Sequence, residues 1–159
     1  MALVARAWSP YIRNRGELQM AEKEKEITVK NYLDYITVKK LMGSKCTKCG
    51  DLRTPPRKIC PKCNSTNTKW IEMSGKGKVA AFSCISVGTQ LFVDKGYSNK
   101  KPYCFSVIKL DEGPMISAQL VGVNESKPET IKIGTPVKVK FLEAEIKGET
   151  RVDLGFEPI

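Results

Sequence analysis

Two CxxC pairs, one earlier stretch of helical spacing and five later segments of alternating hydrophobicity predict a mainly β protein. Its order is an N-terminal helix, a rubredoxin-like zinc ribbon, then a five-stranded OB-fold barrel. At 159 residues the chain suffices for one ordinary domain, or for two small modules sharing a core. The expected divisions are a flexible N-terminal extension over 1–27, a helix over 28–44, a ribbon over 45–72 and a barrel over 73–159.

The first residues, MALVARAWSPYIRNRG, are basic with apolar spots, and Arg6, Arg13 and Arg15 interrupt any apolar run. They lack the apolar stretch of a signal peptide, and no later run approaches a membrane span. Met20 opens the charged lead MAEKEKEI, so residues 1–19 read as an upstream extension or an alternative start. Thr28 is an N-cap for the helix that follows. Val29, Tyr32, Leu33, Ile36 and Leu41 recur at helical spacing, Lys39 and Lys40 sit at its C-terminal end, and Gly43 stops it. Its apolar face has little ribbon core to join, so it is expected to dock on the barrel or on another protein.

After the cysteine pairs, NSTNTKW is a polar turn leading to Trp70. From Gly75 the pattern becomes period two. Expected strands are 76–87, 103–111, 114–123, 136–145 and 150–156, with DEGP as a tight hairpin between the second and third. Val137, Val139 and Phe141 point one way while Lys138 and Lys140 point the other. Val152, Leu154 and Phe156 share a face. Five strands in about eighty residues suit a small closed barrel.

Net charge is +10, with 27 Lys and Arg against 17 Asp and Glu, and it is unevenly placed. Residues 1–75 hold 15 cations against 7 anions. Such a basic half suits an anionic partner: nucleic acid, a phosphorylated cofactor or an acidic protein face. Mere solubility is the plainer alternative. The chain has no histidine, which closes Ser-His-Asp and Cys-His nucleophilic sites, His-ligated catalytic zinc and the usual neutral-pH base. No paired acid/base constellation or phosphate loop appears, and the reading is of a protein that is not an enzyme.

CTKCGDLRTPPRKICPKC supplies the metal ligands Cys46, Cys49, Cys60 and Cys63. A CxxC turn places two thiolates on one edge of a tetrahedron, and two facing turns close it. Gly50 and Asn64, each following a second cysteine, are the residue types that best adopt the positive φ of such a knuckle. Structural zinc is the expected metal; iron held as in rubredoxin uses similar spacing. Four thiolates leave no open coordination position, so the site is structural. A thioredoxin-like redox pair needs a single CxxC opening a helix, and disulfides fit poorly without a secretion signal. Arg53, Arg57 and Lys58 in the insert either offset the cluster's charge or reach an anion. Cys84 and Cys104 read as separate, buried, inert thiols.

The line LMGSKCTKCGDLRTPPRKICPKC, GKGKVAAFSCISV, KPYCFSVIKLDEGPMISAQLVGV, IKIGTPVKVKF and FEP resembles the zinc-ribbon/OB-fold acyl-CoA-associated family, also called domain of unknown function 35. The resemblance covers residues 28–158. It implies a non-catalytic scaffold or accessory protein that binds acyl-CoA or a thiolase-like or HMG-CoA synthase-like enzyme, as in the archaeal thiolase/HMG-CoA synthase assembly, and helps to form or bridge a CoA site. A CoA phosphate suits Arg53, Arg57 and Lys58; Phe82, Phe92 and Tyr97, with loop 88–102, suit a groove for the pantetheine arm or adenine. Barrel core or loop anchoring is the plainer fate of these aromatics. The rival reading is a single-stranded nucleic-acid-binding zinc-ribbon/OB-fold protein. Absent secretion features and reduced-looking cysteines imply a cytoplasmic location, away from membranes.

Overall fold

The protein is described by a computed structural model covering residues 25–146 and 148–159. The expected extension 1–27 lies outside the described residues except for its last three. Those are held, not loose: the Trp70 indole N–H donates to the Lys25 carbonyl, the Asn31 amide donates to the Glu26 carbonyl at 2.7 Å, and Glu26 pairs with Lys58.

Helix α1 spans Val29–Thr37. Thr28 caps it as expected, its hydroxyl accepting the Asn31 N–H at 3.2 Å. The helix ends well short of residue 44. Lys39 takes the left-handed conformation (φ 61°), its N–H reaches the Ile36 carbonyl, and the Lys40 N–H reaches that of Tyr35. This is a Schellman turn with lysine where glycine is usual, so the sequence carries no stop signal at the true end. Leu41 is buried in the connection, not on the helix face. Across the helix, Ile36 and Tyr32 pack into the cluster that also contains Leu41, Met73 and the barrel interior. The helix therefore packs within the chain.

Gly43 lies in β1 (Met42–Cys46), the central strand of an antiparallel sheet with β2 (Leu52–Arg53) and β3 (Thr68–Glu72). Its role is close approach. A Cβ there would collide with the Met73 methyl and lie 2.6 Å from the Arg53 carbonyl oxygen. The sequence predicts no strand in this region because NSTNTKW and MGSKC lack strong alternation.

The barrel matches the expected strands closely: β4 (Lys76–Ile85), β5 (Tyr103–Leu110), β6 (Met115–Leu120), β7 (Pro136–Ile146) and β8 (Glu149–Pro158). They close in the order β4-β5-β6-β8-β7, with β7 returning to β4. Inward positions build the core: Val79, Ile108, Leu110, Ile116, Leu120, Val137 and Phe156 are all nearly inaccessible. Fully burying such side chains contributes about 1.5–3 kcal/mol each. The DEGP turn forms as expected, with the Leu110 N–H donating to the Pro114 carbonyl at 2.9 Å.

One seam is thin. β6 and β8 run parallel with only two registered pairs, Gln119 with Gly155 and Leu120 with Phe156. The segment between β4 and β5 crosses this seam and contains a short helix, α2 (Gln90–Asp94).

Candidate functional site

Both cysteine turns adopt the expected knuckle geometry. Gly50 N–H donates to the Cys46 carbonyl at 2.9 Å and Asn64 N–H to that of Cys60 at 2.8 Å. Gly50 and Asn64 have φ of 74° and 55°. The first knuckle follows β1; the second belongs to the turn before β3. Their four sulfurs lie within 4.8 Å of one another, with Cys46 to Cys63 at 3.6 Å and Cys49 to Cys60 at 3.5 Å. A tetrahedral zinc with sulfur ligands at about 2.3 Å spaces its sulfurs by about 3.8 Å, so the donor set fits. Cys46 and Cys60 are buried, while Cys49 and Cys63 are partly exposed.

Their protonation is unequal. The Cys49 and Lys48 N–H groups and the neighbouring thiols outweigh burial and lower the Cys46 thiol to about 7. Cys49 receives the Asp51 N–H, but burial and the sulfurs of Cys63, Cys60 and Cys46 push it up to about 12. Four sulfurs this close oppose one another's ionisation, a repulsion that a cation between them would relieve.

The three insert cations are deployed separately. Arg53 Nε donates to Asp51 Oδ2 at 2.6 Å, and Lys58 pairs with Glu26. Arg57 is fixed through its backbone N–H, which donates to Ser44 Oγ at 2.9 Å, and among the described residues its exposed guanidinium has no carboxylate partner. Arg53 also lines a cleft of about 650 Å³ between the first knuckle and the β5–β6 hairpin, together with Lys62, Glu112 and Met115. Neither Lys62 nor that hairpin was among the candidates, because only the tertiary fold sets them facing each other.

The aromatics are not in that cleft. Phe82 packs partly buried against the barrel core. Phe92 stacks on Tyr103 with centroids 4.0 Å apart and planes 3° from parallel, and Tyr97 packs at 5.3 Å from Tyr103. The Lys95 ammonium sits 5.1 Å from the Phe92 centroid and also pairs with Asp153. Tyr97 accepts the Gln119 amide at 2.5 Å. Phe92 and Tyr97 thus anchor the segment across the β6–β8 seam. Cys84 and Cys104, expected as separate thiols, are register partners on β4 and β5 with Cα atoms 4.0 Å apart, and they are joined as a disulfide. Strand-by-strand reading has no register and so misses the pairing.

A knuckled three-stranded ribbon feeding a closed five-stranded barrel defines a zinc-ribbon/OB-fold protein. The family model for the rubredoxin-like zinc ribbon domain of ChsH2 matches residues 38–68, and that for the C-terminal OB-fold domain of ChsH2 matches residues 70–142. A DUF35 domain-containing scaffold protein of Methanocaldococcus jannaschii is 36% identical over 123 residues, covering 75% of this chain and 82% of the relative. The benzoylsuccinyl-CoA thiolase subunit BbsA of Geobacter metallireducens is 35% identical over 107 residues, covering 64% of this chain and 67% of the relative. A solved Ltp2-ChsH2(DUF35) aldolase chain superposes with a TM-score of 0.66 at 26% identity, covering 81% of this chain and 92% of that one. The chain belongs to the DUF35 zinc-ribbon/OB-fold family. Among the described residues, no helix is long and apolar enough to cross a membrane.

Proposed function

We propose that this protein is a non-catalytic accessory subunit of an acyl-CoA enzyme of the thiolase or HMG-CoA synthase type. The observation that carries the reading is the scaffold-protein relative matched over most of both chains, and the thiolase subunit among the relatives supports it. Cys46, Cys49, Cys60 and Cys63 hold a structural zinc. Four thiolates fill its coordination sphere, so the metal orders the ribbon without activating substrate. Among the candidate CoA contacts we assign a phosphate to Arg57, since Arg53 and Lys58 already face carboxylates. Phe82, Phe92 and Tyr97 serve the fold on this reading. The cytoplasmic location now rests on the accessory role alone, because the Cys84–Cys104 disulfide removes the argument from reduced cysteines.

The test is gentle affinity purification of the tagged full chain from its native source. An acyl-CoA enzyme subunit should co-elute at a fixed ratio. Elution of the chain alone at low salt, with intact zinc, would remove the accessory role. Calorimetry of that complex with CoA then addresses the ligand: Arg57→Ala should weaken CoA binding about tenfold, as expected for one charge-assisted contact.

A further inference from the structure

Two pairs of lysines stand directly opposite one another on the outside of the barrel. Lys78 of β4 is in register with Lys109 of β5, and Lys76 of β4 with Lys138 of β7. Cross-strand partners project from the same side of a sheet, and residues two apart on one strand share that side. The four ammonium groups therefore form one band across β5-β4-β7, and all four residues are exposed. Glu157 answers Lys138 at 3.4 Å and Lys140 at 2.5 Å. Among the described residues, Lys76, Lys78 and Lys109 have no carboxylate in ion-pair range; exposed Asp111 bonds to Lys76 only through its backbone.

The fold does not need this band. Inward neighbours Val79, Ile108, Leu110 and Val137 make the core, while like charges directly opposite destabilise a sheet. Lysines on strands often guard a free edge against pairing. Here that purpose is absent, because β4 is paired on both sides at these very residues in a closed barrel. An anion laid across the band would offset the repulsion.

We infer that the band formed by Lys109, Lys78, Lys76 and Lys138 docks a carboxylate-rich face of a partner protein. For the partner's identity this rests on the accessory-subunit reading. The residues flanking the band favour a protein over a single-stranded nucleic acid. Lys109 faces Met115, which is 55% exposed, and Lys78 faces Pro136. These neighbours offer apolar contact without an aromatic ring, and methionine is enriched at protein interfaces. Phe105, 37% exposed on the same face of β5, lies four residues from Lys109 and is a single ring where successive bases need several.

The experiment uses the full chain, labelled poly-L-glutamate as an acidic-polypeptide probe, and an oligo-dT of equal charge. Lys78→Gln/Lys109→Gln is compared with Lys100→Gln/Lys127→Gln, which neutralises exposed lysines elsewhere. The band variant should lose about tenfold in polyglutamate affinity, for two exposed contacts partly screened by salt, and the control little. It should melt no lower than the parent, because a repulsive pair has been removed. Equal losses in both variants overturn the proposal, as does tighter binding of oligo-dT than of polyglutamate. A co-purified enzyme subunit held equally well by parent and band variant at low salt overturns it while leaving the accessory role intact. If no enzyme co-purifies with the parent, the accessory role fails and the polyglutamate comparison alone decides the band.

Discussion

Replacing Gly43 by alanine separates two explanations of one glycine. As a left-handed helix terminator, Gly43 would cost about 1–2 kcal/mol on replacement by alanine but leave the ribbon's hold on zinc untouched. As a strand residue it has no room. The added methyl would press the flexible Met73 end, which can move, and lie 2.6 Å from the Arg53 carbonyl oxygen, which cannot without shifting β2. An ordinary carbon–oxygen contact is about 3.3 Å or more, so β1 and β2 must part by about 0.7 Å. These strands share only two registered pairs, Ser44 with Arg53 and Lys45 with Leu52, and Cys46 ends the same strand. Overpacking of this kind costs about 1–3 kcal/mol. For a chain of this size that corresponds to a melting point about 2–12 °C lower. Zinc retention against a chelator should fall in parallel. Gly50→Ala is the comparison: nothing lies within 4 Å of its Cβ, so it pays only for its φ of 74°, about 1–2 kcal/mol. Thermal melting with a colorimetric zinc assay reads both. A Gly43→Ala protein that melts at or above the parent temperature with unchanged zinc retention would refute the packing argument.

Cys60→Ser should release zinc and unfold the ribbon, measured by elemental analysis and proteolysis; full metal occupancy would contradict the four-sulfur site. Zinc affinity should also fall as pH drops, because the metal displaces thiol protons, and a flat pH profile would count against thiolate ligation. Tyr97→Phe leaves the buried Gln119 amide without its acceptor. The expected cost is about 1–3 kcal/mol with faster hydrogen exchange in the 86–102 segment, and unaltered exchange would show that Tyr97 is no anchor. Glu112 is buried enough to oppose its charge, but the Ser74 N–H at 2.6 Å, its own N–H and the Ser74 hydroxyl hold the carboxyl below its usual 4.5. A depressed carboxyl stabilises above its unfolded pKa and loses that contribution as pH falls through the lower folded value. Glu112→Gln should therefore destabilise by about 1 kcal/mol near pH 7, with the gap closing as pH falls below about 4.5. A gap constant with pH would show that the charge is irrelevant.

The barrel and the knuckles were legible because their signals are local. Alternation in PVKVKF and TRVDLGF sets which side chains face inward, and the glycine and asparagine after each CxxC pair announce the turn. What escaped depends on partners distant in the chain. The Schellman lysine at Lys39 defies residue preference, and its side chain is tied to Glu143 at 2.8 Å. The Cys84–Cys104 link needs the β4–β5 register. Where the candidate ligand residues come to lie was the least legible part, because charge and aromaticity mark residue types, not destinations. Phe92 and Tyr97 spend their rings on Tyr103, whereas Lys62 and Glu112 line one cleft without any shared motif.

The strap over the β6–β8 seam makes the barrel's last closure hostage to a segment encoded before its second strand. β8 reaches β6 through two registered pairs and one further bond from the Val121 N–H to the Phe156 carbonyl at 2.9 Å, while Lys95 grips Asp153 and Tyr97 grips Gln119 from outside. The barrel therefore has a latch, fastened by an element that belongs to neither strand it secures. Opening the seam means parting the Lys95–Asp153 and Tyr97–Gln119 contacts as well as the two registered pairs.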